Sequence, residues 1–250
     1  MSGLHRTLAI ETSPHLASGA SVDVIMRNVV YALLPITLFS IYLFGLPALL
    51  VLLTATGSCV ATEHLLCRAG GRPTTVGDWS VVITGLLYGL TLPPGLPLWM
   101  VAIGGVIGVA LGKFMFGGLG YNAFNPALVG RAFLQAAFPA AMTSWQPPML
   151  AQRFTELPAS TLTFPFARPE YDGVSAATPL AQMKFEQAAT PAGDLLLGMT
   201  AGSTGETGAL LVLLGGAWRV ARNMMNGRIP AAIFATVAGL TVLLGWIAPG

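Results

Sequence analysis

Long apolar stretches separated by short polar turns make up most of the chain, and one long polar interval interrupts them. Several of these stretches reach the roughly 20 residues that cross the hydrocarbon core of a bilayer. The pattern predicts seven helices in or across the membrane, at 25–44, 48–66, 79–92, 98–116, 125–138, 208–220 and 229–247. The predicted fold class is therefore all-α, a polytopic membrane helix bundle of about seven spans with one long loop.

The same pattern divides the chain into four parts: a polar N-terminal arm (1–23), five spans (24–138), the long loop with a short helix (139–207), and two further spans (208–250). The arm lacks a short apolar core before a small-residue cleavage site, which predicts insertion through the first span and no signal peptide. The stretch 79–92 has only about 14 residues and ends before two prolines, which predicts a short or slanted helix.

Composition supports a membrane protein. The chain of 250 residues is 54% hydrophobic and only 9% charged, and its mean hydropathy is +0.71, whereas soluble domains average about 25% charged residues. A net charge of +2 gives no support for nucleic acid as a partner. The two cysteines, Cys59 and Cys67, have no metal-ligand or redox spacing, and we interpret them as small apolar helix residues.

Charge placement predicts the topology. With a cytoplasmic N-terminus and five spans before the long loop, eight basic residues lie in cytoplasmic loops or helix ends: Arg6, Arg27, Arg68, Arg72, Lys113, Arg219, Arg222 and Arg228. The other side keeps three basic residues, Arg153, Arg168 and Lys184, against six acidic ones. Basic residues are concentrated on the cytoplasmic side of membrane proteins, so we expect the long loop on the periplasmic or outer side.

Arg131 is a charged residue in the middle of the fifth apolar stretch. A charge at that depth is costly and usually faces the interior of the bundle. Two interpretations remain open: a structural ion pair, or a contact to an anionic or electron-rich cofactor.

The glycines at 117–120 are not preceded by a strand or followed by Lys-Ser/Thr, so a nucleotide-binding loop is only weakly indicated. Asn125-Pro126 is typical of a helix start.

The long loop contains Tyr171-Asp172-Gly173-Val174-Ser175-Ala176-Ala177-Thr178-Pro179-Leu180. Residue chemistry alone favours an ordinary turn there, in which the serine and threonine hydroxyls form local hydrogen bonds before a proline.

Several segments taken together, in this order along the chain, resemble one family. They are Ser13-Pro14-His15, residues 117–134 around Phe124-Asn125-Pro126-Ala127, residues 172–180, Gly205-Glu206-Thr207 and Arg228-Ile229-Pro230. The family comprises the D subunit of the Rnf-type ion-translocating electron transport complexes and the related B subunit of the sodium-pumping NADH:quinone reductases. The short N-terminal arm makes the chain more similar to the Rnf protein.

The resemblance implies a covalent cofactor. In the family, the threonine of a Ser-Gly-Ala-Thr motif is esterified to the phosphate of FMN by a flavin transferase. The motif reads Ser175-Ala176-Ala177-Thr178 here, with alanine in place of the usual glycine, so Thr178 would carry the FMN. Further candidate cofactor-binding residues are Asp172, Ser175, Ala177, Arg131, Asn125, Glu206 and Thr207. For Asn125, and for the nearby Asn122, helix capping is the alternative role. A second, non-covalent flavin remains open.

The resemblance also implies partners. It places the chain in a bacterial inner membrane beside the A, B, C, E and G subunits of an Rnf complex. Electrons would pass between the FMN of the G subunit and the FMN on Thr178, coupled to Na⁺ or H⁺ transport. Members of the family have about ten spans, so we expect this sequence to lack a C-terminal part.

Two alternatives to this function remain. One is a cofactor-free channel or transporter, which the helix breaks at Pro93-Pro94 and 202–205 would suit. The other is a structural membrane protein of a complex.

Overall fold

The computed structural model describes residues 21–165, 167, 176–206 and 208–247. This part of the chain is helical and contains no strand. Its α-helices are α1 (Val22–Phe44), α2 (Leu46–Ala69), α3 (Ser80–Leu90), α4 (Leu98–Gly112), α5 (Pro126–Ala137), α6 (Pro139–Met142), α7 (Pro179–Ala181), α8 (Ala192–Leu197), α9 (Ala209–Ala221) and α10 (Arg228–Ile247). A 3₁₀ turn precedes α3 at Val76–Asp78, another follows α4 at Phe114–Phe116, and a π-helical turn follows α7 at Gln182–Glu186.

The structure confirms the predicted class, a polytopic helical membrane protein. Four helical stretches are long and apolar enough to cross a membrane: α1, α2, α4 together with its 3₁₀ turn, and α10 up to Trp246. The other three predicted spans appear as shorter helices, α3 with 11 residues, α5 with 12 and α9 with 13. Twelve residues rise only about 18 Å, roughly 60% of the ~30 Å hydrocarbon core. Each of these three helices is therefore too short to cross the core by itself when it stands upright.

Local sequence explains the first helix boundaries. The side chain of Ser21 accepts a hydrogen bond from the backbone N–H of Val24 and caps α1. Gly45 ends α1 with φ of 75°, a conformation that glycine adopts without strain. A Cβ atom at Gly45 would lie 2.0 Å from the carbonyl oxygen of Arg153, so the turn also leaves room for the long loop to cross it. Pro47 then occupies the first turn of α2.

The core lies between α2, α3, α4 and α5, which pack closely against one another. Small residues make this approach possible. A Cβ atom at Gly104 of α4 would lie 2.0 Å from the hydroxyl of Tyr88, and one at Gly108 would lie 2.7 Å from the carbonyl oxygen of Pro126. Gly104 and Gly108, four positions apart on α4, therefore let this helix pack closely against α3 and α5.

Lys113 directly follows α4, at a helix end as the topology prediction counts it, but its side chain is buried. The residue is only 4% exposed, next to Glu63, which is 2% exposed. The lysine Nζ lies 2.6 Å from Glu63 Oε2 and donates to Ser80 Oγ at the same distance. Thr75 donates its hydroxyl to the other carboxylate oxygen of Glu63. The charge asymmetry that predicts the topology therefore rests on the arginines alone.

Candidate functional site

The candidate site is a cavity of about 490 Å³ beside the long loop. It contains three of the predicted cofactor-binding residues, Thr178, Arg131 and Glu206. Its remaining walls are Trp145, Pro179, Leu180, Met183, Ala189, Thr190, Leu195, Thr200, Ala201 and Gly202. Arg131 and Glu206, 75 positions apart in sequence, thus border one space.

Thr178 lies at the start of α7 and is half-buried. Its side-chain oxygen accepts a hydrogen bond from the backbone N–H of Ala181 at 3.3 Å, which is the bond of a helix cap. Two residues earlier, the N–H of Ala176 donates to the carbonyl oxygen of Trp145 at 2.9 Å. The threonine is therefore held by the helix that follows it and by a second segment of the long loop.

Arg131 reaches the cavity from α5. The helix begins at Asn125, whose side chain accepts from the N–H of Ala127 at 3.0 Å. Gly130 and Leu134 are buried against the bundle, while Arg131 is half-exposed and turns to the cavity. The structural ion pair, one of the two interpretations of this residue, does not form with any residue that the structure describes. Within that part of the chain, Arg131 is a cation facing open space.

Glu206 is positioned by the segment that connects α8 to α9. Thr204 is fully buried, and both its N–H and its hydroxyl donate to the carbonyl oxygen of Leu92, at 2.9 and 2.6 Å. Ser40 of α1 donates to the carbonyl oxygen of Thr204. Ser203 donates its hydroxyl to Glu206 Oε2 at 2.9 Å. These bonds fix the segment against the ends of α1 and α3 and place the glutamate on the cavity wall.

The other predicted residues are not at this cavity in the described part of the chain. Asp172, Ser175 and Thr207 lie outside the described residues. Ala177 directly precedes Thr178 but does not border the cavity. Asn125 caps α5, the alternative role foreseen for it, and borders a separate cavity of about 150 Å³ together with Lys113.

Sequence reasoning missed Trp145 and two further threonines, Thr190 and Thr200, all on the cavity wall. Thr190 donates its hydroxyl to Gln182 Oε1 at 3.1 Å. The signal for Trp145 was its presence as an aromatic residue in a polar interval, but its distance in sequence from Thr178 concealed their proximity. The two threonines lack any local motif.

The cavity has the size and wall chemistry of a site for a small cofactor. Sites for small molecules and cofactors typically have volumes of about 300–1,000 Å³ and mostly apolar walls with a few polar groups. This cavity has that volume and that kind of wall, and its lining includes a threonine hydroxyl and a guanidinium. Among the described residues, no group of three His, Cys, Asp or Glu side chains is placed to hold a metal ion.

Fold and site together define a polytopic helical membrane protein with a cofactor-sized cavity at its long polar loop. The chain belongs to the NQR2, RnfD, RnfE family, whose model matches residues 9–249.

Similar proteins have been described in several bacteria. The D subunit of the proton-translocating ferredoxin:NAD(+) oxidoreductase complex of Clostridium ljungdahlii is 37% identical over 246 residues, which cover 94% of this chain and 69% of that protein. The D subunit of the Na(+)-translocating ferredoxin:NAD(+) oxidoreductase complex of Acetobacterium woodii is 38% identical, covering 95% and 70%. The D subunit of an ion-translocating oxidoreductase complex of Halorhodospira halophila is 36% identical, covering 94% and 70%.

Proposed function

We propose that this chain is the D subunit of an Rnf-type complex, in which it carries FMN esterified to Thr178 and relays electrons as the complex moves cations across the membrane. The relatives' names describe proton- and Na(+)-translocating ferredoxin:NAD(+) oxidoreductases. The observation that carries the cofactor assignment is the cavity itself, because it joins the hydroxyl of Thr178 to a cation and a mostly apolar wall.

The residues at the cavity have separate tasks in this proposal. Thr178 provides the oxygen that a flavin transferase joins to the phosphate. Arg131 stabilises negative charge on a group bound in the cavity. Glu206, which accepts a hydrogen bond from Ser203, has the opposite effect because its own negative charge repels further negative charge there. Bound FMN supplies one-electron redox chemistry, which the protein tunes by charge and packing. No side chain is required as a general acid, base or nucleophile.

Orientation and partners belong to the same proposal. The arginines at the ends of α2 and α9 and at the start of α10 support a cytoplasmic position for that end of the bundle. The cavity would then face the periplasm of a bacterial inner membrane. There the FMN-bearing G subunit would exchange electrons with Thr178-bound FMN, while the A, B, C and E subunits complete the complex. The exposed apolar side chains at the cavity edge, Leu180 (79% exposed) and Met183 (66%), are suited to contact with such a partner.

Intact-mass spectrometry tests the covalent cofactor. We expect the chain produced together with its flavin transferase to be heavier, by the mass of FMN less one water, than the chain produced without the transferase. The matching sample run on a denaturing gel should fluoresce under ultraviolet light. An unmodified mass in the presence of an active transferase would reject the FMN assignment and leave a cofactor-free membrane protein.

Substitution of the cavity charges tests the roles of Arg131 and Glu206. Arg131→Gln removes a positive charge near the flavin, so we expect the flavin midpoint potential to fall by about 60 mV, which corresponds to about 1.4 kcal/mol for a one-electron couple. Glu206→Gln should raise it. Spectroelectrochemical titration of both variants measures the two shifts. Equal potentials in the wild type and both variants would show that neither side chain faces the flavin.

A further inference from the structure

Trp145 contributes the one aromatic side chain among the described residues that border the Thr178 cavity. It follows α6, whose Ala141 and Met142 are buried in the main core. The proposed function gives this residue no task. Its position therefore requires a separate explanation.

One backbone and one side-chain contact hold the segment around Trp145 on both sides. The carbonyl oxygen of Trp145 accepts the N–H of Ala176 at 2.9 Å, two residues before Thr178. The next residue, Gln146, packs against the turn between α3 and α4, where a Cβ atom at Gly95 would lie 2.6 Å from Gln146 Nε2. The indole is therefore attached to a segment fixed both to the bundle and to the residues that lead into Thr178.

The other walls of the cavity offer apolar contact to a flat ligand. Leu180, Met183 and Leu195 contribute aliphatic or thioether side chains. A planar ring between these side chains and an indole would bury both of its faces in apolar contact. Aromatic rings that stack with an offset attract each other beyond the effect of area burial. Among the described residues at the cavity, only Trp145 has such a ring.

We propose that the indole of Trp145 stacks on the isoalloxazine ring of the flavin attached to Thr178 and fixes the ring in the cavity. The proposal rests on the proposed function, since it concerns the orientation of the cofactor named there. The ribityl chain between phosphate and ring lets the ring lie at a distance from Thr178, on the wall that Trp145 forms.

Stacking on an indole has a spectroscopic consequence. When oxidised flavin absorbs light, a neighbouring indole transfers one electron to it, leaving an indole cation radical and a flavin anion radical. The electron then returns, so there is no net reaction but the fluorescence is lost. A flavin stacked on Trp145 is therefore dark in the folded protein and fluorescent after unfolding.

The experiment compares the full chain, produced with its flavin transferase and kept in detergent, as wild type, Trp145→Phe and Trp79→Phe. Trp79 directly precedes α3. It lies at the opposite end of that helix from Leu92 and the Thr178 cavity, so Trp79→Phe is the matched control. Intact mass gives the flavin load of each sample, and fluorescence is expressed per bound flavin. We expect a severalfold rise in the yield of Trp145→Phe and no change in Trp79→Phe. A fully loaded Trp145→Phe protein with the wild-type yield would overturn the stacking.

A second measurement covers a Trp145→Phe protein that fails to accept flavin. The excited-state lifetime of the wild-type flavin should then be short, with transient absorption of an indole radical, and should lengthen on unfolding. A lifetime equal to that of free flavin contradicts the proposal. The mass of the wild type shows independently whether flavin is attached. An unmodified mass would reject the FMN assignment and the stacking proposal with it. A flavin that is attached but has the lifetime of free flavin would reject the stacking proposal alone.

Discussion

Thr178→Ala should remove the FMN mass increment and the gel fluorescence completely, because the phosphoester needs a hydroxyl at that position. Thr178→Ser keeps a hydroxyl one methyl group smaller and should retain part of the modification. Intact mass of each variant, produced with the flavin transferase, measures both effects. Loss of the capping bond to Ala181 costs only about 1 kcal/mol, so the alanine variant should still fold.

The same cavity provides matched controls for this prediction. Thr190 and Thr200 border it with Thr178 and are equally threonines, but they lie outside the motif. Thr190→Ala and Thr200→Ala should therefore retain full modification. If the FMN mass increment persists in Thr178→Ala and disappears in Thr190→Ala or Thr200→Ala, the attachment site is that other threonine. Thermal unfolding of each variant shows whether a loss of modification reflects misfolding.

The helices could be predicted from the sequence because their cause is local. Runs of apolar residues, a proline after Asn125 and a glycine after Phe44 each mark a boundary within a few residues of where it occurs. The predicted start of the helix at Asn125-Pro126 is confirmed, and so is the capping role of Asn125. The length of α3 also followed from local sequence, since prolines close its apolar stretch.

The assembly of the cavity could not be predicted in the same way, since its contacts join distant residues. Thr204 bonds to Leu92, 112 positions away, and this contact fixes the segment that carries Glu206. No periodicity links these two residues. The chemistry expected at Thr178 came from a resemblance of motifs, and it stays a prediction, whereas the placement of Arg131 and Glu206 beside it is a finding of the structure.

Lys113 shows a different limit of sequence reasoning. Hydropathy places it at the end of an apolar stretch, where a lysine usually reaches the membrane surface. Its partner Glu63 is 50 positions earlier, and Ser80 is 33 positions earlier, so the pair is visible only once α2, α3 and α4 are packed. The bundle therefore has two polar centres at opposite ends of α3: the Glu63–Lys113 pair at its start and the Thr178 cavity beyond its end.

Lys113→Met should destabilise the bundle by about 3–5 kcal/mol, because it leaves Glu63 buried without its counter-charge and takes a donor from Ser80. Replacing both partners, as Lys113→Met with Glu63→Leu, should recover much of this loss, since a buried pair exchanged for apolar side chains of similar size is often neutral. Unfolding of the purified chain in mixed detergent, followed by circular dichroism, measures the free energies.

Arg68→Met, which removes an exposed charge from the same end of α2, is the control and should change stability by no more than about 0.5 kcal/mol. If Lys113→Met unfolds like Arg68→Met, the ion pair does not stabilise the bundle. If the double variant loses as much as the single one, the loss comes from packing around Lys113 and not from the unpaired carboxylate.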